Sequence, residues 1–69
     1  MELINNYGSL TATTIKDADG FNIYVENNIT KTEHLFARVL NNDPVINYFN
    51  ALAKIKASAN ELNENFKQL

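Results

Sequence analysis

From Phe21 to Glu26 apolar and polar residues alternate without a break, Phe21, Ile23 and Val25 against Asn22, Tyr24 and Glu26. A period of two belongs to a half-buried strand, with one set turned to a core and the other to solvent or a partner. Ser9 to Lys16 is rich in Thr, with Leu10, Ala12 and Ile15 interspersed, and suits a second pleated strand of less regular alternation. Between them, Asp17-Ala18-Asp19-Gly20 is a turn signal, with Gly20 expected to supply the positive φ that closes a hairpin. Leu3 and Ile4 predict a short edge strand, ended by the turn residues Asn5-Asn6-Tyr7-Gly8.

The period then changes. Thr30-Lys31-Thr32-Glu33 has the form of a capping box, in which the Thr30 hydroxyl and the Glu33 carboxylate satisfy each other's amides. Leu35, Phe36, Val39 and Leu40 follow at three-and-four spacing, which predicts a helix over about 31–41. Asn41-Asn42-Asp43-Pro44 ends it and opens the next, with Asp43 as N-cap and Pro44 in the first turn. Beyond Pro44 no Gly or Pro intervenes, and Val45, Tyr48, Leu52, Ile55, Ala59, Leu62, Phe66 and Leu69 recur at spacings of three and four. A helix over about 44–69 is expected, roughly 39 Å long. A compact chain of this length has a radius of gyration of only about 11 Å. The far half of the helix should therefore overhang, with Leu62, Phe66 and Leu69 left as an apolar stripe for self-association. The expected fold is one α+β domain over residues 1–69. An antiparallel hairpin, with room for a third strand, occupies about 1–28 and packs on two helices, the C-terminal one long.

Composition narrows the function classes. The 69 residues contain no Cys and one His, so neither a disulfide nor a thiolate metal site is available. A lone His would leave zinc to be held by carboxylates and water, which is unusual. Asp17 and Asp19 resemble half of a calcium loop, but the twelfth position is Asn28 rather than Glu, so a plain turn is expected. Ser9 and Ser58 lack the glycine context of a nucleophile, and His34 is the only conventional base, so no catalytic role and no cofactor are expected. The net charge of −2 argues against direct nucleic-acid binding. Residues 1–30 carry Glu2, Asp17, Asp19 and Glu26 against Lys16 alone, so acidity precedes the expected helices. No apolar run reaches the roughly 20 residues needed to span a bilayer, and the N-terminus lacks the marks of a signal peptide. Cytoplasmic residence is expected.

The segment Thr13-Thr14-Ile15-Lys16-Asp17-Ala18-Asp19-Gly20-Phe21-Asn22-Ile23-Tyr24-Val25-Glu26 resembles the hairpin of a small family of phage anti-CRISPR proteins. The likeness rests on Thr13, Thr14, Asp17, Gly20, Phe21, Tyr24, Val25 and Glu26, about a fifth of the chain with the residues between. It implies a non-enzymatic inhibitor that binds a subunit of a type I CRISPR surveillance complex inside the bacterial host. Family members act as acidic mimics of DNA at the site that reads the protospacer-adjacent motif. Only Asp17 carries over by motif, with Asp19, Tyr24, Glu26 and Glu33 as further partner-binding candidates. The family's acidic cluster on its first helix and its closing Trp-containing strand are not matched here. The alternative is a structural, oligomerisation or adaptor module that forms a homodimer through Leu62, Phe66 and Leu69.

Overall fold

The computed structural model describes residues 2–67, and it is α+β. Four strands, β1 (Glu2–Asn6), β2 (Leu10–Lys16), β3 (Gly20–Asn27) and β4 (Thr32–Leu40), precede one helix, α1 (Ile46–Lys67). The strands pair antiparallel in chain order, β1-β2-β3-β4, so the sheet is a meander with β1 and β4 at its edges. The expected edge strand and hairpin are present.

The expected helix over 31–41 is instead strand β4, and two details explain the difference. The first is the turn before it. The Asn27 side chain accepts hydrogen bonds from the Ile29 and Thr30 amides at 2.9 and 3.1 Å, and the Lys31 amide donates to the Asn27 carbonyl at 2.7 Å. Lys31 then takes a left-handed φ of 62°, which reverses the chain into β4. The second is a bulge. Ile23 pairs with Ala37 and Tyr24 with Leu35, which leaves Phe36 as an extra residue on β4. One inserted residue shifts the alternation by one position, and a strand with a shifted phase carries apolar residues at 35, 36, 39 and 40. That spacing imitates a helix face.

The core lies between one face of the sheet and α1. Leu10 and Ala12 of β2, Ile23 and Val25 of β3, and Val39 of β4 are buried against Ala51, Ile55 and Ala59. Tyr48, Leu52 and Leu62 pack at its margin, so most of the expected helical stripe does face the sheet. Val45, at its start, is 70% exposed. Thr14 is buried within this apolar layer, and its hydroxyl is satisfied by the Tyr48 hydroxyl at 3.0 Å. Asp43 does not cap the helix. Its carboxylate accepts from the Leu40 amide at 2.9 Å and holds the turn out of β4.

The expected overhang of the helix does not arise at Leu62. Twenty-two helical residues run about 33 Å, and the nine residues of β4 extend about 30 Å beneath them. The molecule is elongated, 44 × 21 × 15 Å, with a radius of gyration of 12.7 Å. Leu62 packs on the core, while Leu69 and the side chain of Phe66 lie outside the described residues.

Asn63 fastens that end of the helix to the β1–β2 turn. Its amide donates to the Tyr7 carbonyl at 3.0 Å, and its oxygen accepts from the Ser9 amide at 3.0 Å and from the Ser9 hydroxyl. Gly8 is required beneath it, because φ is +93° and a Cβ would stand 3.0 Å from the Asn63 amide. Gly20 is required for a different reason from the one the sequence suggests. Its backbone is nearly extended, and a Cβ would come within 2.1 Å of the Val39 carbonyl oxygen. Replacing Asn63 with Ala removes three hydrogen bonds and strands the part-buried Ser9 amide, so Asn63→Ala should cost about 1–3 kcal/mol in urea unfolding. Asn60→Ala, on the exposed side of the same helix, should stay within about 0.5 kcal/mol of the parent.

Candidate functional site

One helix covers one face, and the other face of the sheet is open. The strand register arranges that open face in three rows. Across the strands they read Glu2, Ile15, Asn22 and Arg38; then Ile4, Thr13, Tyr24 and Leu35; then Asn6, Thr11, Glu26 and Glu33. Ile4, Ile15 and Leu35 are exposed, so the middle of the face is an apolar belt around Tyr24. Glu2, Asp17, Asp19, Glu26 and Glu33 are set against Arg38 alone, a formal −4 on a chain whose total is −2. The remaining residues carry Lys16, Lys31, Lys54, Lys56 and Lys67 against Asp43, Glu61 and Glu64, a net positive sum, so the acidity is concentrated on this face.

The sequence candidates Asp17, Asp19, Tyr24, Glu26 and Glu33 all belong to this face, but in two groups. Asp17 and Asp19 sit at the β2–β3 turn, and Glu26 and Glu33 pair across β3 and β4 at the other end. Seven residues of strand separate Asp19 from Glu26, about 23 Å. Tyr24 lies between. The charged and apolar face residues that the sequence did not single out are Glu2, Ile4, Ile15, Leu35 and Arg38. The parity of Ile4 and Ile15 depends on register, and Leu35 and Arg38 lie in the segment whose spacing predicts a helix. Only the β4 pairing brings them here.

Asp17 is a structural pin as well as a charge. One carboxylate oxygen accepts from the Asp19 and Gly20 amides at 2.8 and 2.9 Å, which closes the turn. The other accepts from the Asn22 side-chain amide at 2.8 Å and from Arg38 at 3.1 Å. Arg38 also donates to the Asn22 oxygen at 2.7 Å and lies 3.7 Å from the Asp19 carboxylate. The Asn22 hydrogen bond, followed by the backbone amides and Arg38, lowers the Asp17 pKa from 3.8 to about 2. Glu26 and Glu33 differ: neither has a hydrogen bond or ion pair among the described residues, and two like charges directly opposite on a sheet repel.

His34 is exposed on edge strand β4 opposite Val25, on the helix side of the sheet. Among the described residues no cluster of three His, Cys, Asp or Glu side chains is placed to hold a metal. No described helix is long and apolar enough to cross a membrane.

The lowered pKa fixes the sign of a pH effect. A carboxyl depressed on folding contributes stability above its unfolded pKa and loses it as pH falls through the folded value. Asp17→Asn keeps the turn acceptor but sets a neutral amide against Asn22 and Arg38. The variant should melt below the parent at pH 7, and the gap should close as pH falls from 3.8 to about 2. Paired thermal melts over that range measure it, and a gap independent of pH would assign the turn's stability to shape alone.

No protein-family model, curated protein or solved structure matches this chain.

Proposed function

We propose that this chain is a non-enzymatic inhibitor whose open sheet face binds a basic site on a type I CRISPR surveillance complex and excludes target DNA from it. The observation that carries the reading is charge segregation, with five carboxylates against one guanidinium on the single uncovered face of a weakly acidic chain. The resemblance of residues 13–26 supplies the class of target. A site built to neutralise phosphates gains comparable attraction from carboxylates at fixed positions. A sheet already ordered by its core loses little freedom on docking. Tyr24, at the centre of the apolar belt, has the chemistry of an interface anchor. Direct binding of nucleic acid is disfavoured by the same charges. Such a target places the protein in the cytoplasm of a bacterial host.

The roles of the carboxylates divide. Asp17 is committed to the turn and compensated by Arg38, so its charge is partly spent inside the domain. Glu26 and Glu33 remain for a partner, while Asp19, though 80% exposed, lies 3.7 Å from Arg38. Glu26→Gln/Glu33→Gln is therefore a cleaner probe than any change at Asp17, since removing two opposed charges should leave the fold intact or slightly firmer. Binding to a purified type I complex should weaken about tenfold or more at low salt, with a shallower salt dependence. Duplex DNA bearing the recognition motif should displace the parent protein. A complex bound equally well by the parent and the double variant, without competition from DNA, would show that this face is not the inhibitory surface.

A further inference from the structure

At the end of the sheet where α1 begins, a groove of about 370 Å³ opens between Leu3, Phe21, Leu40, Tyr48 and Phe49. Its floor is aromatic, with the Phe21 and Tyr48 rings 5.8 Å apart and Phe49 edge-on to Tyr48 at 5.5 Å. Beside it the first turn of the helix projects apolar side chains outward: Val45, Ile46 and Phe49 are 70%, 56% and 56% exposed. A contiguous apolar patch of a few hundred Å² matches the largest patch on a typical monomer, and such patches are often functional.

We infer that the occupant of this groove is a second copy of the chain, docked about a two-fold axis so that Ile46 and Phe49 of each copy enter the groove of the other. Three features of the patch select a copy over an unrelated protein. The projecting groups and the recess that fits them are adjacent on one surface, which is what an isologous contact requires. The two charges on its border are of opposite sign. Asp43 lines the groove, and the Lys16 ammonium stands 5.8 Å from the centroid of the Phe21 ring that also lines it, so the border carries both signs and can complement a second copy of itself. The open sheet face, at −4, repels its own kind, whereas two copies can approach at this end without that charge penalty. Leu3, Phe21 and Val39 belong to the helix side of the sheet, so the contact leaves both open faces free. The inference is independent of the inhibitor reading.

Area sets the strength. A standard interface takes about 800 Å² from each partner, roughly a sixth of the 4774 Å² surface of this molecule. The patch offers on the order of a few hundred Å². The dimer should therefore be weak, dissociating in the micromolar range. Sedimentation velocity from about 1 μM to about 1 mM should show a monomer–dimer equilibrium in the parent protein. Phe49→Ser, at an exposed site outside the buried core, gives up an edge contact with Tyr48 but should keep the circular dichroism spectrum of the parent and remain monomeric throughout. Lys16→Glu, which leaves the border acidic on both copies, should weaken the dimer at least about fivefold at low salt and less in high salt. A parent that stays monomeric at 1 mM overturns the inference. So does a dimer that survives Phe49→Ser but is lost in Phe66→Ser/Leu69→Ser, which would put the contact at the opposite end of the helix.

Discussion

A single helix can shield only one side of a sheet, and the rest of this molecule follows from that constraint. Burial is concentrated in a thin layer between β2, β3 and α1. Ala12, Ala51 and Ala59 are buried in it together with the larger Ile23 and Ile55. Small residues allow the helix to sit low on the sheet, which lets a few large side chains become fully dry. Such a layer gives limited stability at this size. The polar fastenings at its margins then matter more: Asn63 over the β1–β2 turn, Thr14 to Tyr48 within the layer, and Asp17 at the β2–β3 turn. Each ties an element that the apolar layer alone would hold loosely.

The uncovered side shows the opposite composition. A solvent-facing sheet is usually polar throughout, but here an apolar belt through Ile4, Tyr24 and Leu35 lies between two acidic ends. Core packing does not require this arrangement, because none of these side chains reaches the helix. Arg38 is the one cation on the face, and it is drawn into the Asp17–Asn22 cluster at one end. At the opposite end Glu26 faces Glu33, and neither makes an ion pair among the described residues. The face is thus electrically asymmetric along its length as well as distinct from the rest of the surface.

How much of this was legible before the structure can be seen residue by residue. The strand Phe21–Glu26 alternates cleanly because the extra residue of the bulge lies on β4 and leaves β3 itself uninterrupted, and Ile23 and Val25 are buried as that pattern predicts. The helical stripe from Tyr48 to Leu62 was legible because a lone helix on a sheet keeps one continuous contact face. β4 was not. Its bulge at Phe36 shifts the pattern, and Thr30-Lys31-Thr32-Glu33 satisfies the local grammar of a helix start while Asn27, outside that window, imposes a turn. A two-stranded hairpin exposes one edge of β3, and pairing that edge with β4 outweighs the modest helix propensity of a nine-residue segment. The acidic residues of the candidate face were legible as residues. Their division into a pinned pair and a free pair was not, because it depends on where Arg38 falls, and that depends on β4.

The free pair bears on function through what it costs. Glu26 and Glu33 occupy directly opposed positions, where a Thr, a Lys or an aromatic partner would favour the sheet and two carboxylates disfavour it by a few tenths of a kcal/mol. On a domain whose buried layer is this thin, an unrelieved repulsion at an exposed ladder is a departure from local consistency, and such departures concentrate where a surface serves something other than its own fold. The repulsion would turn into attraction if a cationic group from outside lay between the two carboxylates. Arg38 already does this at the other end, lying against Asp17 and Asp19. The domain thus contains its own example of the contact that a basic partner would make with Glu26 and Glu33. The physical case for a partner at this face rests on that unfilled counterpart more than on the acidity of the chain as a whole.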